Sequence, residues 1–132
     1  MASDTTREEP YVKPASILTW IIRIAAAILL VMGAFIWTGN YDSLVTIHIL
    51  VGVVFTIALL VLTFQAFRGG VARGLVLLAL VVDLALPVLG LTQGMIFPES
   101  LAMVGGIVHL ALGVGAWVLA EMLTLRLGKK VR

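Results

Sequence analysis

Residues 43–67 read SLVTIHILVGVVFTIALLVLTFQAF, an apolar stretch whose only ionisable side chain is His48. A helix needs roughly 20 consecutive apolar residues to cross the hydrocarbon core of a bilayer, and this stretch exceeds that length. The sequence therefore predicts a membrane-spanning helix that carries a histidine into the bilayer.

Three further stretches have the same character. The four predicted spans are 16–38, 43–67, 72–93 and 100–125. The chain is 61% hydrophobic and only 12% charged, with a mean hydropathy of +1.15, which a soluble domain of 132 residues could not bury. The short connections require neighbouring spans to be antiparallel. We therefore expect an all-α membrane protein, an up-down-up-down four-helix transmembrane bundle.

The basic residues predict how this bundle is oriented. Apart from Arg23, inside the first span, they lie before the first span, in or at the edge of the second connection and at the end of the chain: Arg7, Lys13, Arg68, Arg73, Arg126, Lys129, Lys130 and Arg132. Connections 39–42 and 94–99 contain none. The positive-inside rule predicts a multi-pass protein of the cytoplasmic (inner) membrane with both termini cytoplasmic. The predicted divisions are a cytoplasmic tail 1–15, a transmembrane domain 16–125 and a basic cytoplasmic tail 126–132.

Composition also limits the partners and the chemistry. The sequence pI of about 9.4 arises from the basic flanks and so predicts contact with the lipid bilayer rather than with nucleic acid. The absence of cysteine excludes disulfides, thiolate metal sites and covalent c-type haem attachment. No motif for hydrolysis, nucleotide binding or nucleophilic catalysis occurs, so we do not expect an enzyme.

The two histidines of the chain lie in matching surroundings, HILVGV at 48–53 and HLALGV at 109–114. The match predicts a duplicated helical hairpin. Spans two and four should run parallel across the core, with His48 and His109 at similar depth in the outer half. An ionisable residue inside a membrane indicates function by default. Two facing imidazoles predict the axial ligands of one haem b per chain, a six-coordinate centre suited to electron transfer.

Other residues near the histidines complete the predicted cofactor site. Gly105, Gly106 and Gly113 share one face of span four with His109, and such a face leaves room for a large flat ligand or for close helix packing. Gly52 follows His48 by one turn. Gln93, at the outer end of span three, is expected either to bond a haem propionate or to cap the helix. The alternatives are histidines that bond Ser, Thr or carbonyl groups on neighbouring helices, and a different macrocycle such as a chlorophyll.

Two opposite charges, Arg23 and Asp83, lie inside spans one and three. Buried opposite charges in lipid pair because either one alone is costly. We predict a buried ion pair that stabilises the inner half of the bundle, with a proton or ion relay as the functional alternative. Glu121, near the cytoplasmic end of span four, is expected to meet Arg68 or Arg126.

The stretch from His48 through Arg68, Leu89-Gly90, Phe97-Pro98 and His109-Leu110 resembles one four-helix half of haem A synthase. In that family the second and fourth helices of each half carry histidine ligands, separated by a distance similar to the 61 residues here. The resemblance covers about residues 16–125 and implies haem ligation by His48 and His109. Val45 and Ile49 stand where the catalytic half has an acidic residue and an arginine, so haem A synthesis is not implied. Small membrane b-type cytochromes share this bundle.

The sequence therefore predicts a bis-histidine b-type haem protein, an electron-transfer or accessory subunit of a larger membrane redox complex. Its redox partner would approach from the outer side. Two other functions remain open. One is a structural accessory subunit without haem, whose glycine faces serve helix packing. The other is a small proton or ion transporter that uses Arg23, Asp83 and the histidines.

Overall fold

The structure is a computed structural model that describes residues 14–39 and 42–130. Four α-helices make up nearly all of it, and the described residues include no strand. The helices are α1 (Pro14–Trp37), α2 (Asp42–Arg68), α3 (Arg73–Ile96) and α4 (Ala102–Lys130), with a 3₁₀ turn at Glu99–Leu101. All four are long and apolar enough to cross a membrane. The prediction of an all-α, multi-pass membrane protein with four spans is confirmed.

Helices α1 and α4 extend beyond residues 16 and 125, the limits of the predicted transmembrane domain. Helix α1 begins at Pro14, inside the predicted N-terminal tail, because proline is favoured in the first turn of a helix. Helix α4 continues to Lys130, so most of the predicted basic tail 126–132 is helical. Leucine, arginine and lysine are good helix formers, and they extend the helix past the apolar stretch. Residues 1–13 of the predicted tail lie outside the described residues.

A tight turn joins α2 to α3. Gly70 has φ +69°, its N–H donates to the Phe67 carbonyl, and the Val71 N–H donates to the Ala66 carbonyl. This is the Schellman arrangement that ends many helices, and glycine is preferred at its left-handed position. Val71 is buried, and a Cβ added at Gly69 would lie 2.5 Å from Leu127 Cδ2. The second connection is therefore packed against the end of α4.

The apolar core occupies only one half of the bundle. We call this the packed half: it contains the second connection and the parts of the four helices nearest to it. Its largest fully buried apolar side chains are Phe55, Ile22, Leu59, Leu62 and Leu123. By contrast, no apolar side chain between 27 and 53, or between 87 and 115, is buried among the described residues. Those segments form the other half of the bundle, which has no packed core.

Candidate functional site

A cavity of about 710 Å³ lies in the half of the bundle without a packed core. All four helices contribute to its wall. Six glycines line it: Gly33, Gly52, Gly90, Gly94, Gly106 and Gly113. Sites for cofactors and other small molecules have volumes of about 300–1,000 Å³ and mostly apolar walls. The missing core is therefore replaced by a space that suits a ligand of cofactor size.

His48 from α2 and His109 from α4 both line this cavity. Their ring centroids are 6.3 Å apart, and the ring planes are tilted by 49°. The Nδ1 atom of each ring is buried and has no hydrogen-bond partner among the described residues. A buried polar atom without a partner is rare and costly, so two of them at one site call for an explanation. His48 and His109 were predicted to lie close together, and their rings are neighbours in the structure.

Small residues on the neighbouring helices make room for both rings. A Cβ added at Gly90 on α3 would lie 2.8 Å from His109 Cε1 and 3.4 Å from its Nδ1. A Cβ added at Gly33 on α1 would lie 3.7 Å from His48 Cε1, an ordinary contact. Each imidazole therefore lies beside a glycine, but only His109 is in contact so close that a side chain at the glycine would displace it.

The two imidazoles are the strongest metal-binding groups at the site. No cluster of three or more His, Cys, Asp or Glu side chains suited to a metal ion occurs in the part of the chain that the structure describes. Protein sites that hold a bare transition-metal ion usually supply three or four ligands. The two imidazoles alone are fewer protein ligands than such a site supplies.

The other predicted site residues divide between the cavity wall and its surroundings. Gly52, Gly106, Gly113 and Gln93 line the cavity, and the Gln93 Oε1 atom is buried without a hydrogen-bond partner. Gly105 was predicted at the site, but it is not part of the cavity wall. A Cβ added there would lie 2.8 Å from the Phe97 ring, so this glycine allows close packing of α4 against the segment that follows α3.

Sequence reasoning did not assign several residues that line the site. Gly33, Gly90 and Gly94 come from α1 and α3, and Trp37 and Trp117 add aromatic surface. The signal that could have found the glycines is their place near the ends of spans one and three, where an antiparallel neighbour brings them level with a histidine. The tryptophans carry no comparable signal, because Trp37 lies near a membrane interface, where aromatic residues have an ordinary role as belt residues, and Trp117 lies deeper in span four, where its ordinary role is packing.

The predicted ion pair between Arg23 and Asp83 is wrong. Arg23 instead binds Glu121 of α4 through two hydrogen bonds of 2.7 Å, from Nε to Oε1 and from an Nη atom to Oε2. Glu121 had been expected to meet Arg68 or Arg126, and it pairs with Arg23 instead. Arg23 also lies 5.1 Å from the centre of the Trp20 ring, and Trp117 Nε1 donates to Glu121 Oε1 at 3.3 Å. The two charges are neighbours because α1 and α4 are adjacent.

Asp83 is fully buried, and neither of its carboxyl oxygens has a hydrogen-bond partner among the described residues. It lies on α3 in the packed half and is not part of the cavity wall. Similar depth along the helices did not bring Arg23 and Asp83 together, because the face of α3 that carries Asp83 is turned into the core. The pair predicted to stabilise the inner half is thus replaced by an ion pair at the α1–α4 seam.

Comparison with known protein families, characterised proteins and solved structures finds no match to this chain. The geometry of the cavity and its two imidazoles is therefore the ground on which a function can be argued.

Proposed function

We propose that this chain is a membrane-embedded b-type haem protein in which His48 and His109 are the axial ligands of one haem. The spacing of the two rings carries the proposal. An imidazole nitrogen binds a first-row metal ion at about 2 Å, and the ring centroid lies about 1.1 Å further away, so two rings whose bonding nitrogens point at one ion from opposite sides have centroids about 6.2 Å apart. The centroids of His48 and His109 are 6.3 Å apart.

One further observation supports a bound ligand, and a second supports a haem over a bare metal ion. Both Nδ1 atoms lack a protein partner, so the polar groups of the site are not explained by bonds within the described residues. The site also offers two imidazoles inside a cavity of about 710 Å³, far more space than an ion needs. A haem would supply the four remaining nitrogen ligands and fill the space between the helices.

The role of the chain follows from the chemistry of this ligand set. Haem held by two imidazoles supplies a one-electron centre with no open position for oxygen, which suits electron transfer. Helices α2 and α4 hold the two rings in place, and Gly90 gives His109 room. The packed half, with Phe55 and Leu59 fully buried, excludes water from the inner side of the site. These properties suit an electron-transfer or accessory subunit of a larger membrane redox complex.

The proposal includes an up-down-up-down arrangement built from a duplicated helical hairpin. Contacts between α1 and α4 support antiparallel neighbours, because Thr19 bonds Thr124 while Arg23, further along α1, bonds the earlier residue Glu121. The hairpins α1–α2 and α3–α4 also repeat one feature. In each, a glycine of the first helix lies against the histidine of the second, Gly33 against His48 and Gly90 against His109.

The proposed location is the cytoplasmic membrane, with both termini on the cytoplasmic side. The basic residues support this, because Arg68, Arg73, Arg126 and Lys129 belong to the end of the bundle that contains the second connection. The histidine cavity lies at the other end, so the haem would lie in the outer half of the bilayer. A redox partner would then approach from the outer surface.

An absorption spectrum of the detergent-purified protein tests the proposal. We expect a Soret band and, after reduction with dithionite, a sharp α-band at a stoichiometry of one haem per chain. His48→Ala and His109→Ala should each remove these bands. Gly115→Ala, a change on the same helix as His109 but outside the cavity wall, should keep them. A colourless protein from haem-sufficient cells, or unchanged spectra in both histidine variants, would overturn the proposal.

A further inference from the structure

Gln93 brings an amide to a cavity that is otherwise mostly apolar. The Oε1 atom is buried and has no hydrogen-bond partner among the described residues, although the side chain lines the cavity. Its neighbour Thr92 differs, since the Thr92 hydroxyl donates to the Val88 carbonyl at 2.6 Å, is exposed, and is not part of the wall. The Gln93 Oε1 atom is therefore a buried polar atom at the cavity wall that no described residue satisfies.

The position of Gln93 gives the cavity a polar end and an apolar end. Gln93 follows Gly90, which lies against His109, by three residues, about 4.5 Å further along α3 toward its outer end. In the opposite direction Leu86 and Pro87 form the wall, and one turn below them is the buried carboxyl of Asp83. An ionised group at the inner end would lie among apolar side chains, which cannot stabilise its charge, whereas the amide of Gln93 can donate a hydrogen bond to such a group.

We infer that the Gln93 amide binds an ionised carboxyl group on the edge of the ligand. The proposed function is the basis of this inference. The amide can turn its NH₂ group toward the ligand by rotation about its terminal torsion, and an amide N–H donates well to a carboxylate. The ligand is then a macrocycle with free carboxylates, such as haem b, rather than an esterified one such as a chlorophyll. Its carboxylate edge points to the outer end of the bundle.

Two iron porphyrins that differ only in this edge provide the test. One is iron protoporphyrin IX, and the other is its dimethyl ester, in which both carboxyl groups are neutral while the ring and the iron are unchanged. Each is titrated into the full-length chain, purified without haem in the same detergent, and the Soret band reports binding. A hydrogen bond to a charged group contributes enough to change affinity roughly tenfold or more. We expect the wild-type protein to prefer the free acid by about that factor.

Variants at two adjacent positions separate the role of Gln93 from general effects. Gln93→Leu should lower affinity for the free acid roughly tenfold and leave affinity for the ester unchanged. Gln93→Glu keeps the size of the side chain and should weaken the free acid further by charge repulsion, again without effect on the ester. Thr92→Val should bind both compounds as the wild type does. Helix content by circular dichroism checks that each variant is folded.

The outcomes distinguish this inference from the function on which it rests. Loss of the free-acid preference in both Gln93 variants, with the ester bound normally, supports it. Binding of both compounds with equal affinity by the wild type, or equal losses for both in the variants, overturns the inference and leaves the haem proposal standing. If the wild type binds neither compound, the haem proposal fails and the inference fails with it.

Discussion

Gly90 of α3 lies directly beside the imidazole of His109 of α4, with no space for a side chain between them. A Cβ at Gly90 would be 2.8 Å from His109 Cε1, closer than such atoms approach in real structures. The corresponding glycine beside His48 is less tightly placed, since a Cβ at Gly33 would lie at 3.7 Å. The pair of glycines therefore offers a matched test of how the histidines are positioned.

Gly90→Ala should lower haem affinity by about 10–100-fold, the usual cost of disturbing a group that orients a metal ligand. The added methyl group displaces the His109 ring from its place beside α3. Haem content after purification and the Soret titration measure the effect.

Gly33→Ala is the control for that change. The same methyl group makes an ordinary contact with His48, so haem content should stay close to the wild-type value. Equal effects of the two alanines would contradict the close positioning of His109 by Gly90.

A second prediction concerns the volume of the cavity. A Cβ added at Gly106 meets nothing within 4 Å, and Gly106 lines the cavity, so Gly106→Leu should place its side chain in the ligand space. We expect loss of haem binding with helix content retained. Filling a cavity commonly raises stability by about 0.5–2 kcal/mol, so thermal unfolding of the haem-free protein should shift upward.

Gly115→Leu is the matched control on the same helix. Gly115 also has open space at its Cβ, but it is not part of the cavity wall. Haem binding should be unaffected. If Gly106→Leu binds haem as the wild type does, the ligand does not occupy the cavity beside α4.

The sequence was sufficient for those features that depend on length and depth along a helix. Each apolar stretch is long enough to span a bilayer, so the four helices could be predicted to within five residues of their ends. The meeting of His48 and His109 could also be predicted, because both lie in the first third of helices that begin at the same end of the bundle.

Features that depend on rotation about a helix axis could not be predicted in the same way. Asp83 and Glu121 lie at depths comparable to that of Arg23. Arg23 pairs with Glu121 because α1 packs beside α4. Gly105 and Gly106 are adjacent in sequence, yet one lies against Phe97 and the other lines the cavity. In an apolar sequence every face of a helix has a similar composition, so the sequence carries little signal about how the helix is rotated within the bundle.

A third prediction follows from the ion pair at the α1–α4 seam. The Arg23 and Glu121 side chains are 39% and 31% exposed, so in a bilayer they lie partly toward lipid. Glu121→Gln should lower the unfolding temperature in lipid-containing micelles by several degrees, because it leaves the arginine without its charged partner. The double variant Arg23→Gln, Glu121→Gln should recover part of the loss.

The control for this pair is Arg73→Gln at the start of α3. Arg73 is exposed, and loss of its charge should have little effect on thermal unfolding. If the double variant is less stable than Glu121→Gln alone, the arginine stabilises the protein through contacts other than the ion pair, such as its approach to the Trp20 ring.

The last prediction concerns Asp83, whose side chain is fully buried with two unpartnered oxygens. A buried polar group without a partner costs about 1–3 kcal/mol, more if it is charged, so its replacement by an apolar residue of similar size should stabilise the bundle. Asp83→Leu should raise the free energy of unfolding by about that amount in a denaturant titration, and Asp83→Asn should raise it less because an amide keeps the polar atoms. Val76→Leu, at a buried apolar site on the same helix, controls for added volume. A large loss of stability in Asp83→Leu would contradict the prediction and would mean that the carboxyl group is satisfied in the membrane by water or by an ion.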